Sequence, residues 1–313
     1  MPKTTLISLI VAAIGAFCTP ATSAAEEATM EQAATPAPTK SGHLNVNGIN
    51  YYYQVYGEGE PVLLLHGGLG IIEMFGPNLA KLAESRQVVG VDLQGHGRTP
   101  LGDRPIDLAA MGADMDALVK ELGYERVDVL GYSMGGGVAL QMAAQAPRTV
   151  RRLVLVSTPY AKDGFYPEMI AAQAQVGAGA VEMMKETPMY KSYAAVAPNV
   201  SEFPKLLDAM GDLMRRDYDG SAAVAKLTMP VMLVYGDSDM FRLEHIIDFY
   251  HKLGGGLKDA GWMRENMSKN RLAILPDLTH YDIFVSPKLL ETALPFLNGE
   301  SGAKTWAEEV EGK

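Results

Sequence analysis

The chain has 313 residues, 48% of them apolar, which suffices for one large core plus a modest accessory unit and excludes a small disordered protein. Its 27 basic and 37 acidic residues leave a net charge of −10, so composition supplies no basic field for nucleic acid or anionic lipid. A small neutral molecule is the partner these limits favour.

Residues 1–25 read as a tripartite export signal. Lys3 supplies a short positive region, residues 6–17 an apolar stretch, and Thr22-Ser23-Ala24 or Ser23-Ala24-Ala25 a small-residue cleavage site. The apolar stretch is too short for a stable membrane anchor, so the expected location is periplasmic or secreted. Cys18 is the single cysteine, and it follows Phe17, where a lipid-attachment signal wants a small residue. Cleavage at Ala24 or Ala25 leaves a mature protein without thiol or disulfide chemistry.

Residues 26–42 mix Ala, Pro, Thr and charge without apolar periodicity and read as a flexible linker. Regular structure is expected from about Leu44, beginning with a hairpin turned at Asn47-Gly48. Continuous apolar runs then follow at 61–67, 88–93, 127–133, 152–157, 230–236 and 271–276, as expected of strands buried on both faces. Helical patterns at about 72–84, 107–122, 134–146, 242–253 and 287–298 separate them. Asp107 suits the N-cap and Gly123 the C′ position of the second helix. The βα alternation implies a doubly wound, mostly parallel sheet of eight strands flanked by helices.

Residues 158–228 interrupt this rhythm with amphipathic pieces rich in Ala, Met and Tyr, and read as a helical insertion. The domain reading is therefore a core of 43–157 and 229–298, a helical insertion at 158–228 and a polar tail at 299–313. The glycine-rich stretch 254–270 joins a helix to a strand at the edge opposite the strand C-termini, so no catalytic role is assigned to it.

Residues 131–135 spell Gly-Tyr-Ser-Met-Gly between a buried strand and a helix start. A serine there sits on a tight strand-to-helix turn, and flanking glycines allow close backbone approach. Its hydroxyl needs a base, and His280, after the last buried strand, emerges at the same sheet edge. The imidazole needs a carboxylate to fix its tautomer. Asp237 and Asp239 both leave the strand 230–236; Asp239 is favoured, with Asp237 left to fix its own turn. Oxyanion donors are expected from the amide of Met134 and from the His66-Gly67-Gly68-Leu69-Gly70 loop, with Gly68 preferred and Leu69 next. Tyr160, Phe165 and Tyr166 follow a strand's C-terminal end and are candidates to line the substrate cleft.

Together, HGGLG (66–70), DLQGHGRT (92–99), GYSMGG (131–136), YGDSD (235–239) and THYDIF (279–284) resemble the α/β-hydrolase superfamily, in its capped branch of esterases and lactonases. The resemblance covers about 44–298. It implies that Asp92 and His96 are scaffold and that 158–228 closes over the site. Thr279 stands where relatives usually carry glycine. Serine at the nucleophile position disfavours the dehalogenase and epoxide hydrolase activities, which use aspartate there.

The expected function is hydrolysis of a carboxylic ester or lactone by Ser133, Asp239 and His280 through an acyl-enzyme, without metal or organic cofactor. Perhydrolysis, carbon–carbon bond hydrolysis and aminopeptidase chemistry could use the same groups. A slow-turnover, receptor-like binder is the alternative from another class.

Overall fold

The computed structural model describes residues 37–300, Trp306 and Val310. The expected signal at 1–25, the linker as far as residue 36, and most of the C-terminal tail lie outside the described residues.

Eight strands form one sheet: β1 (Lys40–Val46), β2 (Ile49–Tyr56), β3 (Pro61–Leu65), β4 (Gln87–Asp92), β5 (Val127–Tyr132), β6 (Val150–Val156), β7 (Val231–Ser238) and β8 (Arg271–Thr279). Their order is β1-β2-β4-β3-β5-β6-β7-β8. β2 runs antiparallel to both its neighbours, and every other pairing is parallel. The hairpin turns at Asn47 and Gly48 with φ of 49° and 85°, a combination that asparagine and glycine tolerate best.

The chain leaves β3 toward β4 on one side and later enters β5 on the other. The C-terminal ends of β3 and β5 thus form the crevice where strand order reverses. β3 shows why its sequence is continuously apolar. Val62 and Leu64 face one core cluster and Leu63 and Leu65 the other, all at most 3% exposed. Burying each such side chain stabilises the fold by about 1.5–3 kcal/mol.

Helices α1 (Pro77–Ala83) and α10 (Pro287–Asn298) cover one face through Leu79, Leu82, Leu289, Leu290 and Leu297. Helices α2 (Leu108–Glu121), α3 (Met134–Gln145) and α9 (Leu243–Lys252) cover the other. Asp107 caps α2 by accepting from the Ala110 amide at 2.9 Å, and Gly123 follows it at φ 95°. Between β6 and β7 lie the short helices α4 (Pro167–Gln173), α5 (Val181–Met184), α6 (Pro188–Val196), α7 (Phe203–Arg215) and α8 (Ser221–Val224). In α7 the buried residues Phe203, Leu206, Leu207, Met210 and Gly211 recur at helical spacing, which gives it one apolar face.

Strand ends shift by up to three residues from the sequence expectation, and two larger differences have a physical cause. β1 begins at Lys40, inside the expected linker, because an edge strand needs main-chain pairing rather than apolar periodicity: Lys40 pairs with Val55 and Gly42 with Tyr53. The expected helix 72–84 is a short turn, Ile72–Phe75, followed by α1, because Gly76 takes φ 51° and Pro77 disfavours helical backbone before it. Among the described residues no helix is long and apolar enough to cross a membrane.

Candidate active site

Ser133 stands between β5 and α3 with φ 53° and ψ −118°, a strained conformation held by its neighbours. Its amide donates to the Val156 carbonyl at 2.9 Å, and its own carbonyl accepts from Gly137 at 3.0 Å. The flanking glycines are required by proximity. A Cβ on Gly131 would lie 2.4 Å from the Gly135 carbonyl oxygen, and one on Gly135 would lie 2.4 Å from the carbonyl oxygens of Leu65 and His66. The turn is thereby pressed against the end of β3.

His280 follows β8 and Asp239 follows β7. His280 Nε2 is 3.1 Å from Ser133 Oγ, and His280 Nδ1 is 3.1 Å from Asp239 Oδ1. The network fits a neutral imidazole that donates from Nδ1 and accepts the serine hydroxyl at Nε2. The His280 and Asp239 side chains are 6% and 1% exposed, so neither depends on solvent for partners. Asp239 Oδ1 also accepts from the Met240 amide at 2.8 Å, and Oδ2 accepts from the Gly236 amide at 3.3 Å and from the Ser157 hydroxyl. Asp237 is exposed and bonds only the adjacent Ser238 hydroxyl, so of the two aspartates Asp239 is the one brought to the histidine.

The loop after β3 makes a tight turn in which Gly70 donates to the Gly67 carbonyl at 3.1 Å and Leu69 takes φ 59°. Gly68 and Leu69 are the central residues, so their amides lie outside the turn's own hydrogen bond. Gly67 abuts the serine: a Cβ there would lie 3.3 Å from Ser133 Cβ. Gly68 adjoins that contact, and Leu69 is one residue further. Met134 opens α3, so its amide has no intrahelical acceptor and points along the positive end of the helix dipole. Met210 of α7 reaches this loop; its Cε would be 2.8 Å from a Cβ on Gly68.

The three cleft candidates separate. Phe165 packs on Phe241 at 4.8 Å, and Phe241 packs on His280 at 5.6 Å, so Phe165 stands one ring from the imidazole. Tyr166 is 38% exposed and its amide donates to Met240 at 3.4 Å. Tyr160 departs from the expectation. Its ring stacks on His245 at 4.2 Å, its hydroxyl donates to Asp248, and it lines a separate surface cavity of about 240 Å³ with Lys162, Asp163 and Tyr218. Helix α9, not the β6 end, sets its direction.

Two further contacts support the site. Ser157, at the end of β6 with φ 47°, holds the far oxygen of Asp239. Thr279 donates its amide and hydroxyl to Asp282 at 2.8 and 2.9 Å, and so closes the turn that carries His280. The Thr-x-x-Asp spacing was the readable clue for the second.

A family model described as the alpha/beta hydrolase fold matches residues 60–175. The chain is 37% identical over 121 residues to an uncharacterized protein of Mycobacterium tuberculosis, covering 39% of this chain and 36% of that one. It therefore spans about a third of the length of the first curated relatives it matches. Over 211 residues it is 30% identical to the pimeloyl-(acyl-carrier protein) methyl ester esterase of Neisseria meningitidis, covering 61% of this chain and 79% of that enzyme. The chain belongs to the α/β-hydrolase family. In fold, this α/β-hydrolase superposes on the enol-lactonase of Burkholderia xenovorans with a TM-score of 0.63 at 19% identity, covering 82% of this chain and 100% of that one.

Elsewhere in the α/β-hydrolase core, the Asp92 and His96 segment serves as scaffold. Asp92 accepts from the amides of Ile72 and Arg98, each at 3.0 Å, and pairs with the Arg98 guanidinium at 2.9 Å. His66 lies beneath the glycine loop, with Nδ1 2.7 Å from the Gly67 carbonyl and Nε2 accepting from the Leu93 amide at 2.9 Å. Burial pushes the His66 imidazole down to about 4. Burial, with His66 beside it, pushes His96 down to about 3. Both are therefore neutral parts of the α/β-hydrolase frame at neutral pH.

Proposed function

We propose that the protein is a serine hydrolase that cleaves a carboxylic ester or lactone through an acyl-enzyme. The observation that carries this reading is the unbroken chain from Ser133 Oγ through His280 to Asp239, with both links at 3.1 Å. Ser133 Oγ attacks the substrate carbonyl carbon while His280 Nε2 takes its proton. Asp239 stabilises the imidazolium, and the amides of Met134 and Gly68 receive the developing oxyanion. Collapse breaks the bond to the leaving oxygen, which takes the proton from Nε2. Water, deprotonated by the same nitrogen, then releases the acid and restores the serine.

Support for an ester bond comes from the esterase relative, and for a cyclic ester from the fold shared with the enol-lactonase. Fluorophosphonate labelling together with p-nitrophenyl ester turnover tests the reading. Both should depend on Ser133 and vanish in Ser133→Ala. Turnover by Ser133→Ala at the wild-type rate would sink it. The export proposal rests on residues 1–25 and predicts a mature N-terminus at Ala25 or Glu26, which the intact mass of exported protein checks.

A further inference from the structure

Tyr132 precedes the nucleophile, where the strand-to-helix turn itself requires no particular side chain. The tyrosine is 5% exposed and joins three loops of the site. Its hydroxyl donates to the His280 carbonyl at 2.6 Å, across 148 residues of sequence. Its ring lies 5.2 Å from the His280 imidazole and 4.9 Å from Phe284. Toward the oxyanion loop it leaves room for nothing larger than glycine: a Cβ on Gly67 would come within 2.7 Å of its Cε1.

We propose that Tyr132 is a positioning residue that holds the His280 imidazole and the Gly67–Gly68 loop in register with Ser133; the proposal rests on the serine-hydrolase reading. The need for such a brace follows from the topology. His280 leaves β8, which lies at the edge of the sheet and pairs with β7 alone, through a register irregularity between Gly236 and Ser238. The Thr279–Asp282 turn stiffens that loop locally, yet among the described residues Tyr132 alone ties its backbone to the strand that carries the serine. Burial raises the Tyr132 hydroxyl well above the usual tyrosine range, so it remains a donor throughout the working pH range. A misplacement of about 1 Å in a reacting group can cost on the order of a hundredfold in rate, which makes a single tether consequential.

The test compares Tyr132→Phe, which keeps the ring and removes the tether, with Tyr56→Phe. Tyr56 is also buried, and its hydroxyl donates to Gln54 at 2.6 Å on β2, away from the site. Tyr132→Phe should lower kcat and the fluorophosphonate labelling rate by about tenfold while leaving KM within about twofold. Tyr56→Phe should lose similar thermal stability and keep wild-type kcat. Tyr132→Met, which removes the hydroxyl and the ring but keeps an apolar side chain, should show at least the same kcat loss and stands in if Tyr132→Phe does not fold. Wild-type kcat in Tyr132→Phe or in folded Tyr132→Met, a loss confined to KM, or an equal kcat loss in Tyr56→Phe would overturn the positioning role. Those outcomes leave the hydrolase reading intact as long as turnover still requires Ser133; turnover that survives Ser133→Ala removes both.

Discussion

The Ser157 hydroxyl donates to the one Asp239 oxygen that His280 does not use. Four donors thus converge on that buried carboxylate, and they fix its plane as well as its charge. Ser157→Ala leaves Oδ2 with the longer Gly236 contact alone, and should lower kcat several-fold with little change in KM. The lost hydrogen bond to a charged group should cost about 1.5–3 kcal/mol of stability. Steady-state kinetics beside urea denaturation check both effects, and an unchanged kcat would remove Ser157 from the site.

His66 and His96 predict an acid-sensitive fold. Both have folded values, about 4 and about 3, below the ordinary histidine value of 6.5, so the unfolded chain binds protons first as pH falls. Their contribution is complete above about pH 6.5 and declines as pH drops toward 4 and then 3. At pH 5 each should subtract about 2 kcal/mol from stability relative to pH 8. Denaturation midpoints between pH 8 and pH 4.5 measure this, and a flat profile would contradict it.

Met210 sets the roof over the glycine loop, since its terminal methyl crowds the space beside Gly68. Met210→Ala should shift the preference among p-nitrophenyl esters toward longer acyl chains. The removed side chain is 1% exposed, so the variant should also lose about 2–5 kcal/mol of stability. An unchanged chain-length profile in a folded variant would show that the acyl group lies elsewhere.

Gly135→Ala tests the packing of the turn that carries Ser133. The added methyl meets two backbone carbonyl oxygens at 2.4 Å, and neither can move without displacing β3. Losses above about 3 kcal/mol or insoluble protein are expected. A variant with wild-type stability would mean that the contact between the turn and β3 is looser than described.

The parts legible in the sequence were those whose cause is local. The buried strands announced themselves through unbroken Val and Leu runs, and Ser133 through glycines that its turn cannot do without. Asp239 and His280 were legible because each follows such a run. Lys40–Val46 was partly missed, since its stability comes from bonds to β2 that leave no mark on its own composition. Tyr160 was misdirected for a related reason: a loop side chain takes its orientation from whatever packs beside it, here His245 on a helix that comes later in the chain. Ser157 looked like any strand-end serine until a carboxylate from residue 239 arrived opposite it.

The edge position of β8 bears on when the proposed site is completed during folding. Ser133 follows β5 and Asp239 follows β7, both flanked by neighbours in the sheet, whereas His280 follows β8, which among the described residues has one neighbour. A folding intermediate with β1–β7 paired and β8 still free would therefore hold Ser133 and Asp239 without the base that the proposed mechanism needs.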